Sequence, residues 1–409
     1  MKNAATVTLG KMLQSKDSGG DVRAPYMRAA NVQPDGVLAL DDVNEMWFAS
    51  SEMEQLSIRS GDVVVVEGGQ GGFGRAAFAA EDLPGWGFQN SINRLRPTRD
   101  FDGRFIAYYL IALRASGFIR AYSNVVSMPH LTAEKLARIP MPLPPLPAQS
   151  ALADYLDRET ARIDILIQEQ RRLIETLSER RAAVITQAAT RGLDGSPLSN
   201  SGNVYLGDVP AHWVVSRFSR EMSVNGGQVD PRVDPWAHMV LVAPNHIESG
   251  TGRIVGRETA LEQGADSGKY LASAGQILFS KIRPALNKVT LAAEDCLTSA
   301  DMYAMSSRHD DDHRYLMYFM LARPFHAFVT LASLRVKMPK VNRDELGEAP
   351  FLRPPKAEQR RIAAYLDEQT SKIDTLMAET EQFIELSRER RTALITAAVT
   401  GQIDVREMV

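Results

Sequence analysis

Pro144-Pro145-Leu146-Pro147-Ala148-Gln149, followed by Tyr155-Leu156-Asp157, Thr160 and Ile163-Asp164, returns in the second half of the chain. The second copy reads Pro354-Pro355-Lys356-Ala357-Glu358-Gln359, then Tyr365-Leu366-Asp367, Thr370 and Ile373-Asp374. The correspondence runs on through Arg180-Arg181 and Ile185-Thr186 to Arg390-Arg391 and Ile395-Thr396. About 21 of the positions from Ala148 to Asp194 are identical to the second copy without a gap, so the chain is an internal duplication. Upstream the likeness thins to Met128-Pro129 against Met338-Pro339, and Phe105 and Phe118 against Tyr315 and Phe328. Further back, Gly61-Asp62-Val63-Val64-Val65 aligns with Gly275-Gln276-Ile277-Leu278-Phe279. Each half is thus a divergent segment followed by a similar one.

The similar segments read as long helices. Neither Gly nor Pro occurs from Leu152 to Ala189 or from Ala357 to Thr400. Pro147 and Pro355 stand near the starts, where a missing N–H costs nothing. Leu156, Ile163, Leu177 and Val184 recur at heptad spacing, with Leu166 and Leu173 on an interleaved seam. Leu366, Ile373 and Leu394, joined by Leu376 and Phe383, form the counterpart. A narrow apolar stripe with charged flanks is the pattern of helices that pair lengthwise, and each would be a rod of roughly 65 Å. The divergent segments predict short buried strands at Val63–Glu67 and Gln276–Phe279, and apolar helices at Phe105–Leu113 and Tyr315–Leu321. Four regions result: a first divergent domain over residues 1–146, a helix over 147–194, a second divergent domain over 195–356 and a helix over 357–409. The fold class expected is α+β, two globular mixed domains with two long helices packed against each other, under an internal pseudo-twofold repeat.

With 409 residues the chain has material for two to four folded units. Its single cysteine, Cys296, excludes an internal disulfide framework and a multi-cysteine zinc site, and reads as a buried small hydrophobe. No signal-peptide pattern follows Met1-Lys2-Asn3, and the apolar run Phe105–Leu113 is about half of a membrane span. Gly69, Gly71 and Gly74 match the glycine pattern of dinucleotide-binding turns, and Glu67, Gly69 and Gly71 an S-adenosylmethionine pattern. Pro84-Gly85 leaves no room for the βαβ unit that either would need. The Asn-Pro-Pro-aromatic tetrapeptide of amino-methyltransferases is absent. His309-Asp310-Asp311-Asp312-His313 reads as a solvated turn, since adjacent residues on one loop seldom converge on one ion. No catalytic set emerges, and no cofactor or metal is assigned to this chain.

The formal net charge of −3 argues against a uniformly basic nucleic-acid binder, but net balance hides local bias. Between Asp266 and Glu294, and again between Asp312 and Asp344, every charged residue is Lys or Arg. Phosphate neutralisation needs only a local patch, and nearby amides can read base edges. The candidate DNA contacts are Gln70, Arg75, Gln89, Asn90, Arg94 and Arg96 in the first domain. In the second they are Lys281, Arg283, Asn287, Lys288, Arg335, Lys337 and Lys340.

The repeated Pro-Pro…Gln…Tyr-Leu-Asp…Ile-Asp run, the Arg-Arg…Ile-Thr helix ends, and Gly275-Gln276-Ile277-Leu278-Phe279-Ser280-Lys281-Ile282-Arg283-Pro284 with Met338-Pro339 resemble the specificity (S) subunits of type I restriction-modification systems. The resemblance covers essentially the whole chain. It implies that each divergent segment is a target recognition domain reading one half of a bipartite, asymmetric sequence in double-stranded DNA. The helices would pair as an antiparallel coiled coil, set the gap and dock two modification (methyltransferase) subunits. S-adenosylmethionine, ATP and Mg would then belong to partner subunits, a restriction subunit would translocate and cleave, and this cytoplasmic chain would be non-catalytic with no membrane partner. The first domain departs from the pattern by replacing Ile282-Arg283-Pro284 with a glycine loop. The alternative is a duplicated coiled-coil scaffold that organises other proteins without reading DNA.

Overall fold

The computed structural model describes residues 1–69, 72–123, 130–224, 227–334 and 339–403. Packing divides the chain into two compact units, Met1–Gln170 with Gln382–Val409, and Arg171–Glu381. The dividing lines fall inside the long helices, so each unit holds one recognition domain, the start of one helix and the end of the other.

In the first unit the run Val63–Val66 is the inner strand of a four-stranded antiparallel sheet, ordered Ala5–Leu9, Ile92–Pro97, Val63–Val66, Ala76–Phe78. Successive side chains on a strand point to opposite faces. Val63 and Val65 accordingly share a core with Ile106 and Leu110 of the helix Gly103–Ala115. Val64 and Val66 face a second core with Phe48 and Phe88, carried by the three-stranded sheet Asn44–Phe48, Val22–Met27, Gly87–Phe88. Burial on both faces is why the strand reads as unbroken valine, each worth about 1.5–3 kcal/mol. The helix meets the sheet through Gly103, where a Cβ would lie 2.2 Å from the Gly61 carbonyl oxygen.

The second unit repeats the plan. Ile277–Ser280 lies between Met302–Ser307 and Val289–Leu291, with Met222–Val224 at the edge. Ile277 and Phe279 join the core of Tyr315 and Phe319 on the helix His313–Leu321. Leu278 joins Val242, Cys296 and Met302, on and beside a four-stranded sheet of Gln228–Val229, Lys269–Ala272, Cys296–Thr298 and Leu241–Val242.

The long helices span Leu146–Arg191 and Lys356–Val399. In the first unit Leu156 packs with Ile395, Ala398 and Val399; in the second, Ile185, Ala188 and Ala189 pack with Ile362, Ala363 and Leu366. The beginning of each helix lies against the end of the other, so the pairing is antiparallel within each unit. Buried positions run Leu156, Thr160, Ile163, Ile167, Leu177, Arg181 on one helix and Leu366, Thr370, Ile373, Thr380, Ile384, Ser387, Arg391 on the other. Leu166 and Leu394 are half-buried. Leu173, Leu376 and Phe383 are not in the seam: they stand 43%, 49% and 43% exposed. Threonines and arginines with internal hydrogen bonds take the interleaved positions, so apolarity alone selects the wrong neighbours.

Candidate nucleic-acid interface

In the second recognition domain the segment after strand Ile277–Ser280 pairs with the segment before Arg343. Arg283 N donates to Pro339 O at 2.9 Å, Val341 N to Lys281 O at 2.9 Å, and Ile282 bridges Lys340. This pairing brings Lys281, Arg283 and Lys340 to one edge, with Arg283 and Lys340 exposed or half-exposed. Lys281 and Arg343 both stand over the Tyr303 ring, 5.3 and 5.9 Å from its centroid. A cation over an aromatic face gains about 0.5–1 kcal/mol at an exposed site, so the ring holds two positive groups near the edge. Arg283 and Asn287 both adopt positive φ, +44° and +48°, and bracket the turn Pro284–Leu286. Asn287 Nδ2 donates inward to Leu321 O at 3.0 Å, and Lys288 Nζ to Pro244 O at 2.6 Å. Those two side chains shape the loop, while Lys281, Arg283 and Lys340 make its basic rim. Arg335 and Lys337 lie outside the described residues.

The first domain disposes its candidates differently. Arg94 is buried, donating to Gln55 O at 2.9 Å, Ser57 O at 2.6 Å and Thr8 Oγ1 at 3.1 Å. Arg96 makes a two-pronged pair with the buried Asp62, at 2.8 and 2.7 Å. Both guanidinium groups are tied within the domain; Arg94 is buried, while Arg96 stays half-exposed. Arg75 is half-buried beside Val32 O. Gln89 is half-buried beside the backbone bridge to Lys11. Asn90 lines a pocket of about 190 Å³ with Glu67, Gly68, Ser91 and His130. Burial holds the Glu67 carboxyl above its usual range, against the opposing pull of His130 and Asn93. Gln70 lies outside the described residues. The described part of the glycine run lies between the antiparallel strands Val63–Val66 and Ala76–Phe78, and among the described residues there no helix opens, the element a dinucleotide pyrophosphate would need.

Sequence reasoning missed the polar residues that mount each domain on its helices. Gln149 donates to Pro144 O at 2.8 Å and Asp100 O at 3.1 Å, and accepts from Asp102 N. Gln359 does the same with Pro354 O, Asp311 and Asp312 N. Arg104 reaches Asp157 at 2.9 Å and Arg314 reaches Asp367 at 2.7 Å. Tyr108 donates to Asp157 at 2.7 Å and Tyr318 to Asp367 at 2.8 Å. Burial, aided by the bond to Asp367 and opposed by that to Thr370, pushes the Tyr318 hydroxyl up to about 12, so it remains a donor. Gln149/Gln359, Asp157/Asp367 and Thr160/Thr370 were visible as repeat identities; the signal was there, and its meaning was contact with the divergent domains. The run His309–His313 is similarly engaged. His309 pairs with Glu221 at 3.0 Å, Asp310 with Lys356, Asp312 caps the helix at Arg314, and His313 meets Gly275 O at 2.7 Å. Among the described residues no group of His, Cys, Asp and Glu is gathered for a metal ion.

Two mixed domains, each hydrogen-bonded onto an antiparallel helix pair and one of them rimmed with cations, define a duplicated domain-on-helix protein. The chain belongs to the type I restriction modification DNA specificity domain family, whose model matches residues 10–176 and 242–386. The specificity subunit of the type I restriction enzyme EcoDI from Escherichia coli is 29% identical over 293 residues. That match takes in 68% of this chain and 65% of the relative, so the chain spans just under two-thirds of that protein's length. The fold is also that of a chain solved in work on complex assembly and conformational transition of the type I R-M system, with TM-score 0.68, 16% identity and 97% of each chain covered. The HsdS subunit from Thermoanaerobacter tengcongensis matches with TM-score 0.51 and 16% identity over 98% of this chain and 97% of that one.

Proposed function

We propose that this chain is the sequence-reading, non-catalytic subunit of a type I restriction-modification complex, each recognition domain reading one half of a bipartite, asymmetric site in double-stranded DNA. The observation that carries the reading is the family match to both halves of a duplicated chain. The long helices set the unspecified gap between half-sites and dock two methyltransferase subunits, which bring S-adenosylmethionine. A restriction subunit adds ATP- and Mg-dependent translocation and cleavage, and the complex acts on cytoplasmic DNA. Support for docking comes from apolar side chains left exposed on the helices, Leu173 and Leu376 in one unit and Ile165, Phe383 and Leu386 in the other. Support for DNA contact comes from Lys281, Arg283 and Lys340 on one edge of the second domain; the first domain contacts DNA through other groups than the buried Arg94.

The test is direct. The purified chain alone transfers no methyl group from S-adenosylmethionine. With its methyltransferase subunit it binds one bipartite duplex, identified by methylation-sensitive sequencing of the source genome, with affinity that falls steeply as salt rises. Methyl transfer by the chain alone overturns the reading. Charge reversal at Lys281, Arg283, Lys337 and Lys340 decides between DNA reading and a pure scaffold: unchanged DNA affinity favours the scaffold.

A further inference from the structure

Two arginines, one near the end of each long helix, each join three elements of a unit. Arg391 Nε lies 3.0 Å from Asp164 Oδ1 on the opposite helix, and its Nη2 donates at 3.0 Å to the Asp35 carbonyl of the first recognition domain. Arg181 Nε lies 2.8 Å from Asp374 Oδ1, while Nη1 and Nη2 donate to the carbonyls of Gly250 at 2.9 Å and Thr251 at 2.8 Å in the second recognition domain. Their side chains are 9% and 6% exposed. A guanidinium is always charged and presents its donors in one rigid plane. One group therefore fixes a helix-to-helix contact and a helix-to-domain contact in the same geometry. In both units the hydrogen bonds from the arginine to the domain end on main-chain oxygens, a grip that any residue type at those positions can supply.

We propose that Arg181 and Arg391 are positioning residues that set the angle of each recognition domain on its helix pair, and thereby the half-site spacing the chain accepts. The inference rests on the bipartite DNA reading above. Adding one base pair between half-sites displaces them by about 3.4 Å and turns them by about 35° around the duplex. A rigidly clasped domain meets one spacing, and a domain free to swing meets its neighbours as well.

The experiment uses the full chain in complex with its methyltransferase subunit, and duplexes carrying the genome-derived motif at native spacing or with one base pair added or removed. Arg391→Lys and Arg181→Lys keep a positive charge opposite Asp164 and Asp374 but lose the fork that reaches the domain carbonyls. The expected result is affinity for the native duplex within about threefold of wild type, and a preference for native spacing reduced about tenfold. The double variant is more permissive than either single one, and Arg388→Ala, which removes an exposed side chain paired with Glu385 on its own helix, changes neither quantity. Unchanged spacing preference in the lysine variants overturns the inference alone, as does an equal loss of affinity at every spacing, which marks a merely structural role. Failure of the wild-type complex to bind the bipartite duplex overturns the DNA reading with it.

Discussion

Burial, reinforced by the neighbouring Glu294 and Asp295 carboxylates, pushes the Cys296 thiol up to about 12, which leaves almost no thiolate at neutral pH. Native protein is therefore expected to resist iodoacetamide, with labelling appearing only as denaturant unfolds it; rapid labelling of folded protein would contradict this. Asp102 behaves in the opposite sense. Burial would raise its carboxyl, but the Arg104 side chain, the Arg104 backbone N–H and Ser150 outweigh it and hold the group below its usual range. A carboxyl lowered in the folded state contributes stability that is present at neutral pH and lost as pH falls through its folded value. Asp102→Asn should consequently destabilise the protein at pH 7, with the deficit against wild type shrinking below about pH 4, as urea melts across that range would show. Neither environment is legible in a residue's own identity: both depend on what the fold places around it.

Along the helices, apolar heptad positions and seam positions coincide only in part. Leu156 is fully buried against the other helix's end, so Leu156→Ala is expected to cost about 2–5 kcal/mol in thermal or urea unfolding. Phe383→Asp, at an exposed position, should stay within about 0.5 kcal/mol of wild type yet weaken co-purification of the methyltransferase subunit. The strand Val63–Val66 was legible because burial on both faces leaves an unbroken apolar run. The second copy's strand begins at Ile277 for the same reason. The seam was less legible because Thr160, Thr370, Arg181 and Arg391 occupy it as polar groups whose hydrogen bonds close inside the protein.

At the scale of the molecule, chain order and compact packing divide the protein differently. The helix end from Gln382 onward comes late in the chain yet packs in the unit that begins at Met1. Truncation after Glu381 should therefore lower the melting temperature of the amino-terminal unit by exposing Leu156 and Ala112, leaving the unit Arg171–Glu381 close to its original stability; calorimetry resolves the two transitions. A reading of segments as independent domains predicts no such loss. Duplication, helix positions and family likeness were all present in the residue string, because repetition and periodicity are properties of order. Which cations reach the surface and which are tied inside the fold was not, since Arg94 and Arg283 are the same residue type in similarly basic stretches. Arg94 lies on a strand whose neighbours supply carbonyl and hydroxyl acceptors, and Arg283 on a turn at the domain's edge. Acceptors distant in sequence, brought within hydrogen-bond reach by folding, make that difference.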